Sequence, residues 1–422
     1  MYRMSDAWTA RLLRDPVASP RAAFLELFFD LAFVFALTRV AQRLISELNA
    51  REPDRDVLAG AVEALFFFLL LWLIWMLAAW VTSLYDPALA FVQALVIVVM
   101  FGALVLAIAM PHAFGGRAVL FAGTYVTIQL GRPLALTLAL RGHPRRLVTT
   151  RITIWTAVAA VPWLVGAAVS EHARPAVWAG ALTVEYVGFA TGWPIPRLGA
   201  SRVNQWVING VHLVERYQQV FLIALGEAIL VIGLASSAAP MTPAEVAGFV
   251  VAFAVTVLFW RIYFHRSGHR LPAAIRESQT PARLGERATY VHLVTVASVL
   301  ITAVGFELVI AHPTGEGTLP TAVIVLGGPA LFLLAQGWAE HEVVGRRPIR
   351  RLAGALVLVA AVPVGALLPG LAVLVMATVV LSLVGGADTL ASHLRDSPGG
   401  GAGPPGGSEG ARGTSASPPG AT

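Results

Sequence analysis

Apolar residues run along this chain in long unbroken stretches separated by short polar or Pro/Gly-bearing connections. The stretches fall at residues 24–45, 57–81, 88–110, 118–140, 152–169 and 175–193, then at 207–234, 244–264, 288–311, 318–338, 352–368 and 371–385. A bilayer core of ~30 Å takes roughly 20 residues of helix, and a helix satisfies its own backbone polar groups where lipid offers none. Each stretch therefore predicts a membrane-spanning helix. Continuous apolar character, without polar alternation, excludes a barrel of strands. The expected fold is all-α, a polytopic integral membrane helical bundle of about twelve transmembrane helices, the final two separated only by Pro369-Gly370.

The chain also repeats itself. At an offset of 201 residues, Arg145-Arg146 matches Arg346-Arg347, and Val158-Ala159-Ala160-Val161-Pro162 matches Val359-Ala360-Ala361-Val362-Pro363. Nearby, Gly131-Arg132-Pro133-Leu134 parallels Gly327-Gly328-Pro329-Ala330 at an offset of 196. Two tandem six-helix repeats follow, at 24–193 and 207–386. They are joined by a cytoplasmic connection at 194–206, preceded by a cytoplasmic segment at 1–23 and followed by a tail at 387–422. Six is even, so the second repeat enters the membrane in the same orientation as the first.

Composition agrees: 57% of the 422 residues are hydrophobic and 13% charged, far from a soluble domain of this length. All 30 positive residues are arginine. They gather before the first stretch (Arg3, Arg11, Arg14, Arg21) and in even-numbered connections (Arg141, Arg145, Arg146, Arg266, Arg270, Arg276, Arg283, Arg287, Arg346, Arg347, Arg350, Arg351), which predicts both termini in the cytoplasm. The net charge of +6 is then arginine facing anionic lipid, and no aromatic-interleaved basic module calls for nucleic acid. The absence of cysteine excludes disulfides and thiolate metal sites. The first stretch is too long for a signal peptide and lacks an Ala-x-Ala site after it, so it stays as a helix. From Ser397 the Gly/Pro/Ser/Ala composition predicts a disordered tail.

Polar side chains inside the stretches are costly and point to a bundle interior or a water-filled path. Glu26 and Asp30 lie four apart, on one helical face, and two carboxyls so close suit a pair that shares a proton; the plainer role for Glu26 is to favour the positive end of its helix. Thr38 and Arg39 follow. The seventh stretch places His212, Arg216, Gln219 and Glu227 in one stripe with Glu215 beside it. A Glu215–Arg216 ion pair holding helices together is its simplest use. Gly226 next to Glu227 allows close approach of a helix or substrate. His292 and Glu307 stand towards opposite ends of the ninth stretch, and Glu185 and Arg132 are candidate counter-charges. A lone buried His is usually a hydrogen-bonded structural residue, and no His-x-x-x-His spacing, phosphate loop or nucleophile elbow is present, so no metal, cofactor or catalytic residue is assigned. Trp72, Trp75, Trp80, Trp260 and Tyr263 read as packing aromatics.

The runs Glu26-Leu27-Phe28-Phe29-Asp30-Leu31-Ala32-Phe33-Val34 and Glu215-Arg216-Tyr217 with Leu225-Gly226-Glu227-Ala228-Ile229 resemble the two signatures of the bacterial low temperature requirement A family. Tyr85-Asp86, Val184-Glu185-Tyr186, Trp260 with Tyr263-Phe264, and His292-Leu293 with Gly305-Phe306-Glu307 extend the resemblance to roughly residues 20 to 390. It implies a membrane protein tied to growth in the cold and names no activity. His265 and Gln218-Gln219 depart from the pattern.

Paired repeats of one orientation suit alternating access with a site at their interface. The first and seventh stretches become equivalents, with Glu26 opposite Glu215. The leading expectation is a proton-coupled secondary transporter, no enzyme, in which Asp30, Glu227 and His292 exchange protons and Arg39 or Arg132 neutralises them or holds an anionic solute. Its partners are then the lipid bilayer, protons and a small solute; the sequence fixes no oligomeric state. The alternatives are a two-repeat ion channel, an intramembrane enzyme acting on lipid, or a scaffold whose buried charges fix helix packing.

Overall fold

The computed structural model describes residues 12–14, 23–48, 57–201, 210–237, 241–264, 281–345 and 347–396. The expected tail from Ser397 and His265 lie outside these, as do most of the N-terminal segment and much of the 194–206 connection. The described chain is helical. Helices α1 (Phe24–Leu48), α2 (Val57–Leu84), α3 (Ala90–Ala109, prolonged by a tight turn at Met110–His112), α4 (Ala118–Ala139), α5 (Arg146–Ala168) and α6 (Arg174–Thr191) come first. Helices α7 (Gly210–Ser236), α8 (Pro243–Ile262), α9 (Pro281–Ala311), α10 (Leu319–Val344), α11 (Ile349–Ala360, then a single turn at Val362–Gly365) and α12 (Gly370–Asp396) follow. Among the described residues the only strand-like pairings are two isolated bridges, Leu13 with Tyr85 and Ile195 with Gly199.

Eight helices are long and apolar enough to cross a membrane: α2, α3, α5, α7, α8, α9, α10 and α12. The protein is therefore a multi-pass membrane protein. The other four expected spans are helices at the expected places that fall short for two physical reasons. In α11 the run is only 12 residues before Pro363 begins a new turn; the ring of a proline inside a helix clashes with the carbonyl four residues back. The matching Pro162 sits inside an uninterrupted α5, so the repeated Ala-Ala-Val-Pro motif is read differently in its two settings. Helices α1, α4 and α6 fall short because they hold the polar residues of the interior: Glu26 and Asp30, Gln129 and Arg132, and Glu185, all buried. Helix α12 continues past the expected end at residue 386 to Asp396.

The most deeply packed of these spans are α9, 67% buried along its apolar stretch, and α2 and α10, each 56%, against 28% for peripheral α8. Helix α1 packs on α2, α3, α7 and α9, while α9 packs on α7, α8 and α10. The contacts of α1 with α3 and of α4 with α5 recur as α7 with α9 and α10 with α11. Helices α1 and α7 lie parallel, because contacts ascend together: Glu26 meets His212, Asp30 meets Arg216 and Thr38 meets Glu227.

Two neighbouring glycines on α10 show how tight the α9–α10 contact is. A Cβ on Gly328 would stand 2.3 Å from Thr302 Oγ1 and 2.9 Å from Thr302 N, whereas one on Gly327 meets nothing within 4 Å. Small residues let backbones approach this closely in a bilayer, where tight packing is a principal source of association. Gly328→Ala should destabilise the bundle by about 1–3 kcal/mol through overpacking, while Gly327→Ala should be neutral or gain up to ~1 kcal/mol from helix propensity. Melting temperatures of the two variants in detergent check the contrast.

Candidate functional site

The polar side chains of α1 and α7 close on each other across the parallel contact. Spacing of four residues puts Glu26 and Asp30 on one face of α1, and the same spacing puts His212 and Arg216 on one face of α7. The four side chains interlock, each no more than 1% exposed. Arg216 holds Asp30 in a two-pronged bridge, Nη1 donating to Oδ2 at 2.8 Å and Nη2 to Oδ1 at 2.7 Å. This fork geometry is what a guanidinium offers and an ammonium cannot. Trp75 on α2 donates its indole N–H to Asp30 Oδ1 at 2.9 Å and lies under the guanidinium at 5.7 Å, and Arg216 also donates to Gln219 Oε1 at 2.8 Å. The Nε of Arg216 stands 3.9 Å from Glu26 Oε1.

Glu26 does both things the sequence suggests for it. Its Oε2 accepts the N–H of Ala23 at 2.7 Å, capping the start of α1, and meets Nε2 of His212 at 3.0 Å. The other ring nitrogen of His212, Nδ1, is 2.9 Å from Ser83 Oγ on α2. Ser83 Oγ also lies 2.8 Å from the Ala79 carbonyl, to which its hydroxyl can donate while it accepts from Nδ1–H. A proton between Nε2 and Glu26 Oε2 can sit on either the ring or the carboxyl.

One further carboxyl lies higher in the seam. Glu227 is fully buried, and its Oε2 is 2.5 Å from Thr38 Oγ1 on α1. Among the described residues its Oε1 has no hydrogen-bond partner. Gly226 beside it faces open space, so that glycine does not serve a close helix contact. Between α1 and α7 a lateral cleft of about 420 Å³, lined by Leu27, Phe28, Leu31, Leu222 and Ile223, reaches Asp30 and Gln219.

The remaining sequence candidates lie elsewhere. Glu185 on α6 accepts from Tyr125 Oη at 2.5 Å, Trp163 Nε1 at 3.1 Å and Gln129 Nε2 at 3.3 Å. Arg132 joins this second cluster only through Gln129, to whose Oε1 its Nη2 donates at 2.9 Å. His292 is satisfied at both nitrogens, Nδ1 donating to the Ala288 carbonyl at 2.7 Å and Nε2 paired with Tyr263 Oη at 2.8 Å, with its ring stacked on Tyr217. Among the described residues none of its hydrogen-bond partners is a carboxylate. Arg39 turns to Gln42 at 3.1 Å and to the ring of Phe35, so the cation that meets Asp30 is Arg216. Glu215 is half-buried beside Arg216 and is not the residue that meets Glu26. Glu307 is half-buried on α9, outside both clusters. Sequence reasoning took Trp75 and Tyr263 for packing aromatics and passed over Ser83. Tyr125, Gln129 and Arg132 at i, i+4 and i+7 form a polar stripe on α4 that was legible.

The chain matches the family model described as bacterial low temperature requirement A protein (LtrA) over residues 21–385. It is 34% identical over 398 residues to a Rhizobium meliloti (strain 1021) protein described as "Uncharacterized protein RA0937", covering 93% of this chain and 95% of that one. No solved structure matches. The matched span takes in the whole seam and the Glu185 cluster.

Removing one member of a buried ion pair leaves the other uncompensated, at a loss of about 3–5 kcal/mol, whereas replacing both is far milder. Asp30→Asn and Arg216→Gln should each lower the melting temperature sharply, and the double variant should recover most of the loss. A double-mutant cycle on thermal unfolding in detergent measures the coupling, and additive losses would contradict the pairing.

Proposed function

The chain belongs to the bacterial low temperature requirement A family, and on that premise we propose that it is a proton-coupled secondary transporter with its proton site in the α1/α7 seam. The observation that carries this reading is the Glu26–His212 contact, a buried acid and base 3.0 Å apart, close enough to exchange a proton between parallel helices. In this reading residues 24–193 and 207–386 are two six-helix repeats of one orientation, in which α1 and α7 take equivalent positions beside the axis relating them. Rocking of one half against the other then opens the seam first to one face and then to the other. Glu227, with an unpartnered oxygen, is the second protonation site. The Asp30–Arg216 bridge keeps the two helices in register, and the lateral cleft is the route by which the seam is reached. The arginine distribution supports a bacterial plasma membrane location with both termini in the cytoplasm.

Purified protein in liposomes with a trapped pH dye, under an imposed pH gradient, tests the reading. Proton flux should appear only with particular added solutes. Glu227→Gln retains an oxygen for the Thr38 hydroxyl and should fold normally, yet lose about tenfold or more of that flux, the scale of a removed protonation step. Flux without any solute would point to a channel, and unchanged coupled flux in Glu227→Gln would overturn the assignment of that carboxyl.

A further inference from the structure

Apart from the seam, the first half contains an arginine that its surroundings do not satisfy. Among the described residues five arginines are buried: Arg132, Arg151, Arg174, Arg216 and Arg351. Arg174 has acceptors all round, and Arg151, Arg216 and Arg351 leave only the Nε without a hydrogen-bond partner among the described residues. Arg174 alone donates to the carbonyls of Gly166, Phe114, Gly115, Ala167 and Val169. Arg151 reaches Ser201 and the Leu198 carbonyl, and Arg351 reaches the Gln336 carbonyl and Asp388. Arg132, 6% exposed, has one acceptor, Gln129 Oε1, while its buried Nη1 has none. Among the described residues no carboxylate lies within 4 Å of it, since Glu185 is held off by the intervening Gln129. A buried guanidinium short of both acceptors and counter-charge is strongly disfavoured unless something supplies them.

The same arginine lines a cavity of about 70 Å³ where α2 ends and α5 begins. Half-buried Arg145 lines it too, and no carboxylate among the described residues is within 4 Å of that guanidinium either. Burial pushes the Tyr85 hydroxyl up to about 12, so this third polar group of the lining stays a neutral donor. Thr149, whose hydroxyl donates to the Arg146 carbonyl, lines it as well, and the other walls are apolar and aromatic, chiefly Trp80, Leu136, Phe189 and Trp193. Two cations and a hydroxyl donor with no acidic group, set in apolar walls, select a single negative charge on a small apolar body. The volume admits roughly five non-hydrogen atoms at ~15 Å³ each.

We propose that this cavity binds a small organic monoanion of short-chain carboxylate size, with its carboxylate on Arg132 and Arg145 and its apolar body against Trp80, Phe189 and Trp193. The site is separate from the seam and does not depend on the transporter reading, because binding needs no gradient.

Calorimetric titration of the purified full-length protein in nonionic detergent, at fixed ionic strength, with propionate, propionamide and inorganic phosphate tests it. Propionate should bind saturably at one per chain, propionamide not at all and phosphate more weakly than propionate. Arg132→Gln should weaken propionate binding by about tenfold or more, the loss of a charge-assisted hydrogen bond, and Arg145→Ala by a smaller factor. Arg287→Gln, which removes an exposed partner of Glu342 in the second half, should leave it unchanged. If Arg132→Gln does not fold, the Arg145→Ala result and the carboxylate-versus-amide comparison still decide. Equal binding of propionamide, wild-type affinity in Arg145→Ala together with any folded Arg132→Gln, or no saturable binding would overturn the proposal. Displacement of propionate by added phosphatidylglycerol would reassign the cavity to a lipid headgroup and overturn it equally.

Discussion

A guanidinium and two carboxyls sealed between helices set the terms for the rest of this bundle. Arg216 can be buried only because Asp30 meets it with both oxygens and Trp75, Gln219 and Glu26 surround the pair. Unmatched, each charge would be a severe liability at that depth. The bridge therefore fixes more than a contact. It dictates that α1 and α7 run parallel and that α2 lies close enough to present Trp75 and Ser83. It also sets a register in which Glu26 falls against His212.

Three of the four helices that fall short of a span do so because of polar groups, while α7, which supplies His212, Arg216 and Glu227, stays apolar enough to cross. Helix α1 contains Glu26 and Asp30 beside Arg39, and α4 and α6 contain the Arg132–Gln129–Glu185 cluster, so charge interrupts their apolar runs while their interiors stay buried. Lipid-facing positions on the same helices remain apolar, as Leu27, Phe28 and Leu31 on α1 illustrate. Function-bearing polarity and span-like hydropathy draw on the same positions, and a composition window averages the two together.

Much of this was readable before any coordinates. Helical periodicity alone put Glu26 with Asp30 and His212 with Arg216, and it marked the α1 and α7 stripes as the most polar of the chain. It did not give their mutual register. Equating the repeats put Glu26 against Glu215, 189 residues on, whereas the hydrogen bonds join residues 186 apart at the Glu26 and Asp30 level and 189 apart at Thr38 and Glu227. Contact between two helices is set by how their side chains interdigitate, and periodicity along one helix is silent about that. The same limit hid the partners of Arg39 and His292, since Phe35, Gln42 and the Ala288 carbonyl are local neighbours whose choice depends on what the facing helix leaves free. Indole and phenol groups escaped notice because a tryptophan or tyrosine is apolar over most of its surface, and only packing decides whether its one polar atom finds a carboxylate.

The account rests most directly on where the protons of His212 sit. Ser83 donating to the Ala79 carbonyl gives Nδ1 a hydrogen and leaves the mobile proton to Nε2 and Glu26, which is the arrangement we propose. Nitrogen-15 NMR of labelled full-length protein in lipid, with the His212 signals assigned by its substitution and followed across pH, reads both nitrogens separately. The account predicts a protonated Nδ1 at every pH at which the bundle is folded, and an Nε2 signal that changes as the seam gains or loses its proton. A bare Nδ1, or an Nε2 signal indifferent to pH and to Glu26→Gln, would contradict it.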